Sequence, residues 1–126
     1  MKIIVHRGTH QIGGCVTEIQ SNKGTRIAID IGENLPSQNQ EVTQELNIEG
    51  LTIQGQNNFK AVFITHYHGD HIGLYHKILP QIPIYMGKIS KEIYKILQTR
   101  LAKAKIISEE DLAQIEHFKT YQIPEK

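Results

Sequence analysis

Residues Ile64–Gly73 read ITHYHGDHIG, and the fold turns on how that run is interpreted. Three histidines and an aspartate, His66, His68, Asp70 and His71, fall within six consecutive positions. Imidazole and carboxylate are ligands that suit zinc, manganese or iron. His66, His68 and Asp70 alternate, so an extended segment would aim all three to one side. Gly69 lets the backbone turn sharply, and His71 then opens a helix from which it can swing back toward the same pocket. The plainer alternative is the polar cap of a helix, each histidine satisfied by a hydrogen bond. Four such groups placed directly after an apolar strand fit a metal site better.

That strand is KAVFIT, Lys60 to Thr65, a short unbroken apolar run of the kind buried on both faces. A cluster at its C-terminal end lies where open α/β sheets usually hold ligands. Upstream, KIIVH (Lys2 to His6), CVTEIQ (Cys15 to Gln20) and TRIAIDI (Thr25 to Ile31) read as strands, the last two joined by the turn-like SNKG. Gly13 and Gly14 give the chain room to turn before the second of them. Between Asn34 and Asn58 the sequence is polar, with Leu46, Ile48, Leu51 and Ile53 its regular apolar positions. It reads as a long connection with one irregular edge strand.

Downstream, HIGLYHKIL (His71 to Leu79) predicts a helix stopped by Pro80, and PIYM (Pro83 to Met86) another buried strand. Ser90 is the expected N-cap of a helix from Lys91 to Lys103, Lys105 to Ile107 a brief strand, and Ser108 with Asp111 the start of a helix through His117. Strands alternating with helices after Lys60 predict an α/β layered domain. On a helical projection Ile89, Ile93, Ile96, Leu97, Leu101 and Ala104 share one arc and Lys88, Lys91, Lys95 and Lys105 the opposite one. The basic arc would serve phosphates, or simply face solvent. Arg100 falls within the apolar arc, where nothing in the sequence accounts for it.

The 126 residues make one domain, 1–126, and the net charge of +1 is too small to imply nucleic acid or an anionic membrane by itself. Cys15 is the sole cysteine, which favours a reducing compartment and reads as a small strand residue with no evident base to activate it. No apolar run approaches membrane-spanning length, so a cytoplasmic protein is expected, with no membrane partner.

His66-x-His68-x-Asp70-His71 resembles the signature of the metallo-β-lactamase superfamily. Asp30 in AIDIG is similar to that family's earlier aspartate, which supports the metal-binding loop from behind the ligands. GTHQIGGCVTEIQ with AIDIG, and IPIYMGKISKEIYKILQTRL later, resemble the ribonuclease J and β-CASP nuclease branch, over about Lys2 to Leu101. The resemblance implies a mixed β-sheet with flanking helices, part of an αββα sandwich, and a dinuclear zinc site. His66 and His68 would hold one metal, Asp70 and His71 the other, with Asp70 also orienting the hydrolytic water. Two cations would depress the pKa of that water for attack on phosphorus or a carbonyl.

The family also needs a later histidine, a bridging aspartate and a last histidine. After His71 this sequence holds His76, His117 and Asp111. His76 would lie roughly 140° from His71 on a helix, and His117 reads as an ordinary amphipathic-helix residue. His6 and His10 bracket the first loop, near the metal cleft in the resembling families, and His10 would either contact substrate or be solvated. Thr65 and Tyr67 read as a turn hydroxyl and a packing residue. The expectation is therefore a partial domain lacking its C-terminal half, with none or one of the two zinc ions, manganese or iron being alternatives. Its lineage is a hydrolase of RNA or DNA, or of a small-molecule ester, thioester or lactam, this chain itself being inactive. The contrasting expectation is a non-catalytic metal-binding remnant that self-associates through the surface its missing half would cover.

Overall fold

The computed structural model describes residues 1–7, 14–33 and 46–121, apart from the side chains of Arg7 and Asp70. His10, Gly13 and the first part of the Asn34 to Asn58 connection lie outside the described residues. Among the described residues six strands form one sheet in sequence order: β1 (Lys2–Arg7), β2 (Val16–Gln20), β3 (Arg26–Ile29), β4 (Ala61–Ile64), β5 (Ile84–Gly87) and β6 (Lys119–Tyr121). The first three are antiparallel neighbours, and β3 through β6 run parallel. The helices are α1 (Gly69–Ile72), α2 (Lys88–Lys103) and α3 (Glu109–Ile115). This mixed sheet with flanking helices is the α/β layering that the alternation of strands and helices predicts. Among the described residues no helix is long and apolar enough to cross a membrane.

Register decides which residues make the core. Glu18 pairs with Ala28, Ala28 with Val62, Val62 with Ile84, and Ile64 with Met86, so these side chains share one face. All are buried, and Ile72, Leu74, Tyr75, Ile78, Tyr94, Ile115 and Phe118 pack in the same core. The opposite face carries Ile3, Val5, Ile27, Ile29, Phe63 and Tyr85, none of them buried, with Phe63 and Tyr85 stacked at 5.1 Å. Within KAVFIT, Val62 and Ile64 are buried on the core face and Ala61 on the other, where Phe63 is half-buried.

Several local predictions are corrected. The helix expected from His71 to Leu79 stops after one turn, and a 3-10 turn follows at Tyr75–Lys77. The loop after β3 takes its hydrogen bonds: Ile31 N donates to His71 O at 2.8 Å, and Leu74 N donates to Ile31 O at 3.0 Å. Helix α2 begins at Lys88 with Gly87, not Ser90, as its N-cap. The stretch expected as a strand at Lys105 to Ile107 is the helix end instead. Lys105 adopts a left-handed φ of 59°, and Ile106 N reaches back to Leu101 O at 2.9 Å, closing a Schellman-type cap. Between 46 and 59 the edge strand reduces to a single bridge, Glu49 to Ile53.

The apolar arc of α2 is also turned the other way. Ile89, Ile93, Ile96 and Leu97 are exposed, whereas Tyr94 and Ala102 are buried. Lys91, expected on the solvated arc, lays its stem against the domain and donates to Glu116 O at 3.2 Å and Phe118 O at 2.8 Å. Its ammonium thereby satisfies carbonyls just past the end of α3, whereas Lys88, Lys95 and Lys105 of the same arc stay exposed.

Ser108 does cap α3, accepting from Asp111 N at 3.1 Å, with Glu109, Glu110 and Asp111 in the first turn. Ser108→Ala should lower unfolding free energy by about 1 kcal/mol in urea denaturation, and Ser108→Asp should restore it. An unchanged midpoint in the alanine variant would contradict the cap's role.

Candidate metal centre

Strand β4 ends at Ile64, and the chain leaves the sheet at Thr65 with its backbone tied to β3. Asp30 stands at the end of β3, 5% exposed, with a φ of 64°. Aspartate tolerates that left-handed conformation better than most residues, at some cost in strain. The conformation turns the carboxylate across the ends of both strands. Thr65 N donates to Oδ1 at 2.7 Å, and the Thr65 hydroxyl donates to Oδ2 at 2.7 Å. His71 Nδ1 lies 2.8 Å from the same Oδ2. Because a carboxylate oxygen accepts, Nδ1 carries a proton, and in the neutral ring the lone pair is then on Nε2. Thr65, read from sequence as a turn hydroxyl, is one of the two groups that lock the carboxylate.

Helix α1 is held just as tightly. His68 is its N-cap, with extended backbone, and its carbonyl accepts from His71 N at 2.9 Å and Ile72 N at 3.1 Å. Glu33 N donates to Gly69 O at 2.9 Å. A Cβ on Gly73 would sit 2.6 Å from both the Gly69 carbonyl oxygen and the Glu33 side chain, so the close docking of this turn requires glycine there.

These supports bring three imidazoles together. The His66 and His68 rings lie 3.9 Å apart between centroids, and those of His66 and His71 5.5 Å apart. His66 Nε2 and His68 Nδ1 face each other at 2.8 Å and share a hydrogen bond. Alternation along an extended segment therefore holds for His66 and His68 only, because the helix starts at Gly69. Asp70 occupies α1 between Gly69 and His71, and its side chain lies outside the described residues. Among the described residues no group of three or more histidine, cysteine or acidic side chains has the geometry to hold a metal ion.

The donor set nevertheless suits a divalent cation in kind. Two nitrogens bound tetrahedrally at about 2.0–2.1 Å stand roughly 3.3 Å apart. The His66–His68 pair needs to open by only about half an ångström to reach that spacing. His71, oriented by a carboxylate at its other nitrogen, has the arrangement typical of metal-ligating histidines.

Other candidate residues lie elsewhere. His6 is bonded to Glu18, 2.8 Å away, rather than to the imidazole cluster. His76 and His117 are exposed, and Cys15 is half-buried. A cleft of about 1150 Å³ opens beside the cluster, with Tyr67, His68 and Gly69 along one wall and the C-terminal turns of α2 along the other. The sequence alone does not reveal this cleft, because it depends on how α2 docks beside the histidine-rich turn.

The metallo-beta-lactamase superfamily model matches residues 34–115, well over half of the chain. A crystal structure of a protein of unknown function from Enterococcus faecalis V583 superposes with a TM-score of 0.61 at 22% identity, over 78% of this chain and 28% of that one. That likeness concerns the fold alone, and this chain spans little more than a quarter of that protein's length. No relative is found among the curated proteins. With the family model running through the histidine-rich turn and the strands and helices around it, this chain belongs to the metallo-β-lactamase superfamily.

Proposed function

We propose that the protein is a metal-dependent hydrolase of the phosphodiesterase or ribonuclease kind, built on the zinc chemistry of its superfamily. The observation that supports this reading is the His66–His68 pair at the end of β4, with the carboxylate-braced ring of His71 beside it. His66 Nε2, His68 Nδ1 and His71 Nε2 would hold the cation. Asp70, placed between Gly69 and His71, is proposed as a further ligand and as the carboxylate that orients the hydrolytic water. When bound, the cation supplies a Lewis acid that makes water nucleophilic at neutral pH and offsets charge building on the scissile group. Asp30 and Thr65 fix the ring of His71, so the ligand arrives with its tautomer already chosen. The ribonuclease J and β-CASP branch is the proposed nearest kin, on the likeness of the residues around Gly14 and Asp30.

Zinc titration followed by elemental analysis tests the reading. The protein should retain about one zinc per chain, and a His66→Ala, His68→Ala double variant essentially none. Hydrolysis of bis(p-nitrophenyl) phosphate by the zinc-loaded protein would support the phosphodiesterase assignment. Retained zinc without hydrolysis of that ester, an RNA oligonucleotide, or a thioester would favour the non-catalytic metal-binding alternative. Equal zinc retention by the double variant would remove the metal centre itself.

A further inference from the structure

The cleft beside the imidazole cluster has one feature the hydrolase reading leaves unused. Arg100 lies on its far wall, exposed, near the C-terminal end of α2. Among the described residues its guanidinium has no hydrogen-bond or ion-pair partner. Leu97, Leu101 and Ile106 stand beside it on the same wall, and Tyr67 and His68 face the cleft from the cluster's side. Leu97 and Ile106 are 41% and 68% exposed, so bare aliphatics flank the guanidinium in this cleft, while Lys95 and Lys103 border a second depression that Arg100 also lines.

We infer that Arg100 is an anion-binding residue, and that the cleft takes a nucleotide with its phosphate on the guanidinium and its base on the apolar wall. Guanidinium is suited to phosphate because its planar fork presents paired donors to two oxygens. An apolar wall flanked by a tyrosine ring accepts the flat face of a base without selecting its identity. Glu33 and Asp111 also border the cleft, so it is not a uniformly positive trough. An anion there depends on Arg100 rather than on a diffuse field. The volume, about 1150 Å³, lies just above the usual range for a small-molecule site and leaves room beyond a single nucleotide. That the bound nucleotide is the substrate rests on the hydrolase reading, while its capture by Arg100 does not.

Isothermal titration separates the two. Adenosine 5′-monophosphate and adenosine serve as probes against wild type, Arg100→Ala and Arg100→Lys, without added metal. Wild type should bind the monophosphate roughly tenfold more tightly than the nucleoside, the value expected for one charge-assisted contact. Arg100→Ala should abolish that preference while leaving nucleoside binding unchanged, and Arg100→Lys should keep part of it. Equal affinity of wild type for the two probes, or a preference that survives in Arg100→Ala, would overturn the inference. If the phosphate preference follows Arg100 but the zinc-loaded protein hydrolyses no phosphodiester, the anion site stands and the hydrolase reading falls.

Discussion

Asp30→Asn is expected to cost about 2–4 kcal/mol of stability and to weaken zinc binding roughly 10- to 100-fold, although it changes one atom. The carboxylate accepts three hydrogen bonds, from Thr65 N on Oδ1 and from the Thr65 hydroxyl and His71 Nδ1 on Oδ2. An asparagine offers one acceptor oxygen and an amide that only donates. If the amide faces Thr65 N, two donors oppose each other in a buried position. If it faces His71, the imidazole must present a lone pair at Nδ1 and carry its proton on Nε2, the nitrogen proposed to face the cation. Asparagine tolerates the left-handed backbone nearly as well as aspartate, so strain at φ 64° does not confound the comparison. Urea denaturation reads the stability loss, and nitrogen-15 shifts of the His71 ring report the tautomer. A variant with wild-type stability and an Nδ1-protonated His71 would show that the carboxylate is dispensable.

That dependence on one buried carboxylate explains which parts of the molecule are legible in the sequence. The strands around AIDIG and KAVFIT carry strong apolar patterns, and Asp30 interrupts one where a buried strand ends. The clustered histidines are equally visible, since their type and spacing are local properties. Helix α1 is not, because its early end follows from hydrogen bonds made by Ile31, about forty positions upstream. Strand β6 has only three residues, all exposed, and gains its identity by pairing with β5. The orientation of α2 is hidden for a related reason. Its apolar arc is the wider one, yet two backbone carbonyls at the end of α3 draw Lys91 inward and leave Ile89, Ile93 and Ile96 outside. Long-range polar contacts override periodicity in each of these places.

The same physics governs Glu18, which a strand pattern alone would have marked as misplaced. It points into the core beside Val16 and is 1% exposed. Arg26 Nε donates to Oε2 at 2.6 Å, Arg26 Nη2 to Oε1 at 3.2 Å, and His6 Nε2 lies 2.8 Å from Oε1. Arg26 also donates from Nη1 to Glu49 O at 3.1 Å and Asn57 O at 2.8 Å, and its guanidinium lies 4.2 Å from the centroid of the Phe59 ring. One ion pair therefore ties the β1–β3 hairpins to the connection that leads into β4. Burial pushes the Glu18 carboxyl upward, but the hydrogen bonds and charges of Arg26 and His6 together outweigh it and hold it below the ordinary carboxylate value. Glu18→Gln should cost about 1–2 kcal/mol at neutral pH, because it leaves the half-buried Arg26 guanidinium without its charged partner. Replacing both, as Glu18→Leu with Arg26→Met, should recover much of the loss for the same reason. The depressed carboxyl also fixes the direction of the pH response. Its contribution is complete above the unfolded value near 4.5 and is lost as pH falls through the lower folded value. Urea midpoints measured from neutral pH into acid should therefore fall more steeply for wild type than for Glu18→Gln, with the two curves converging at the acid end. Parallel curves would mean that the ionised carboxylate contributes nothing, and the hairpins would then be held by apolar packing alone.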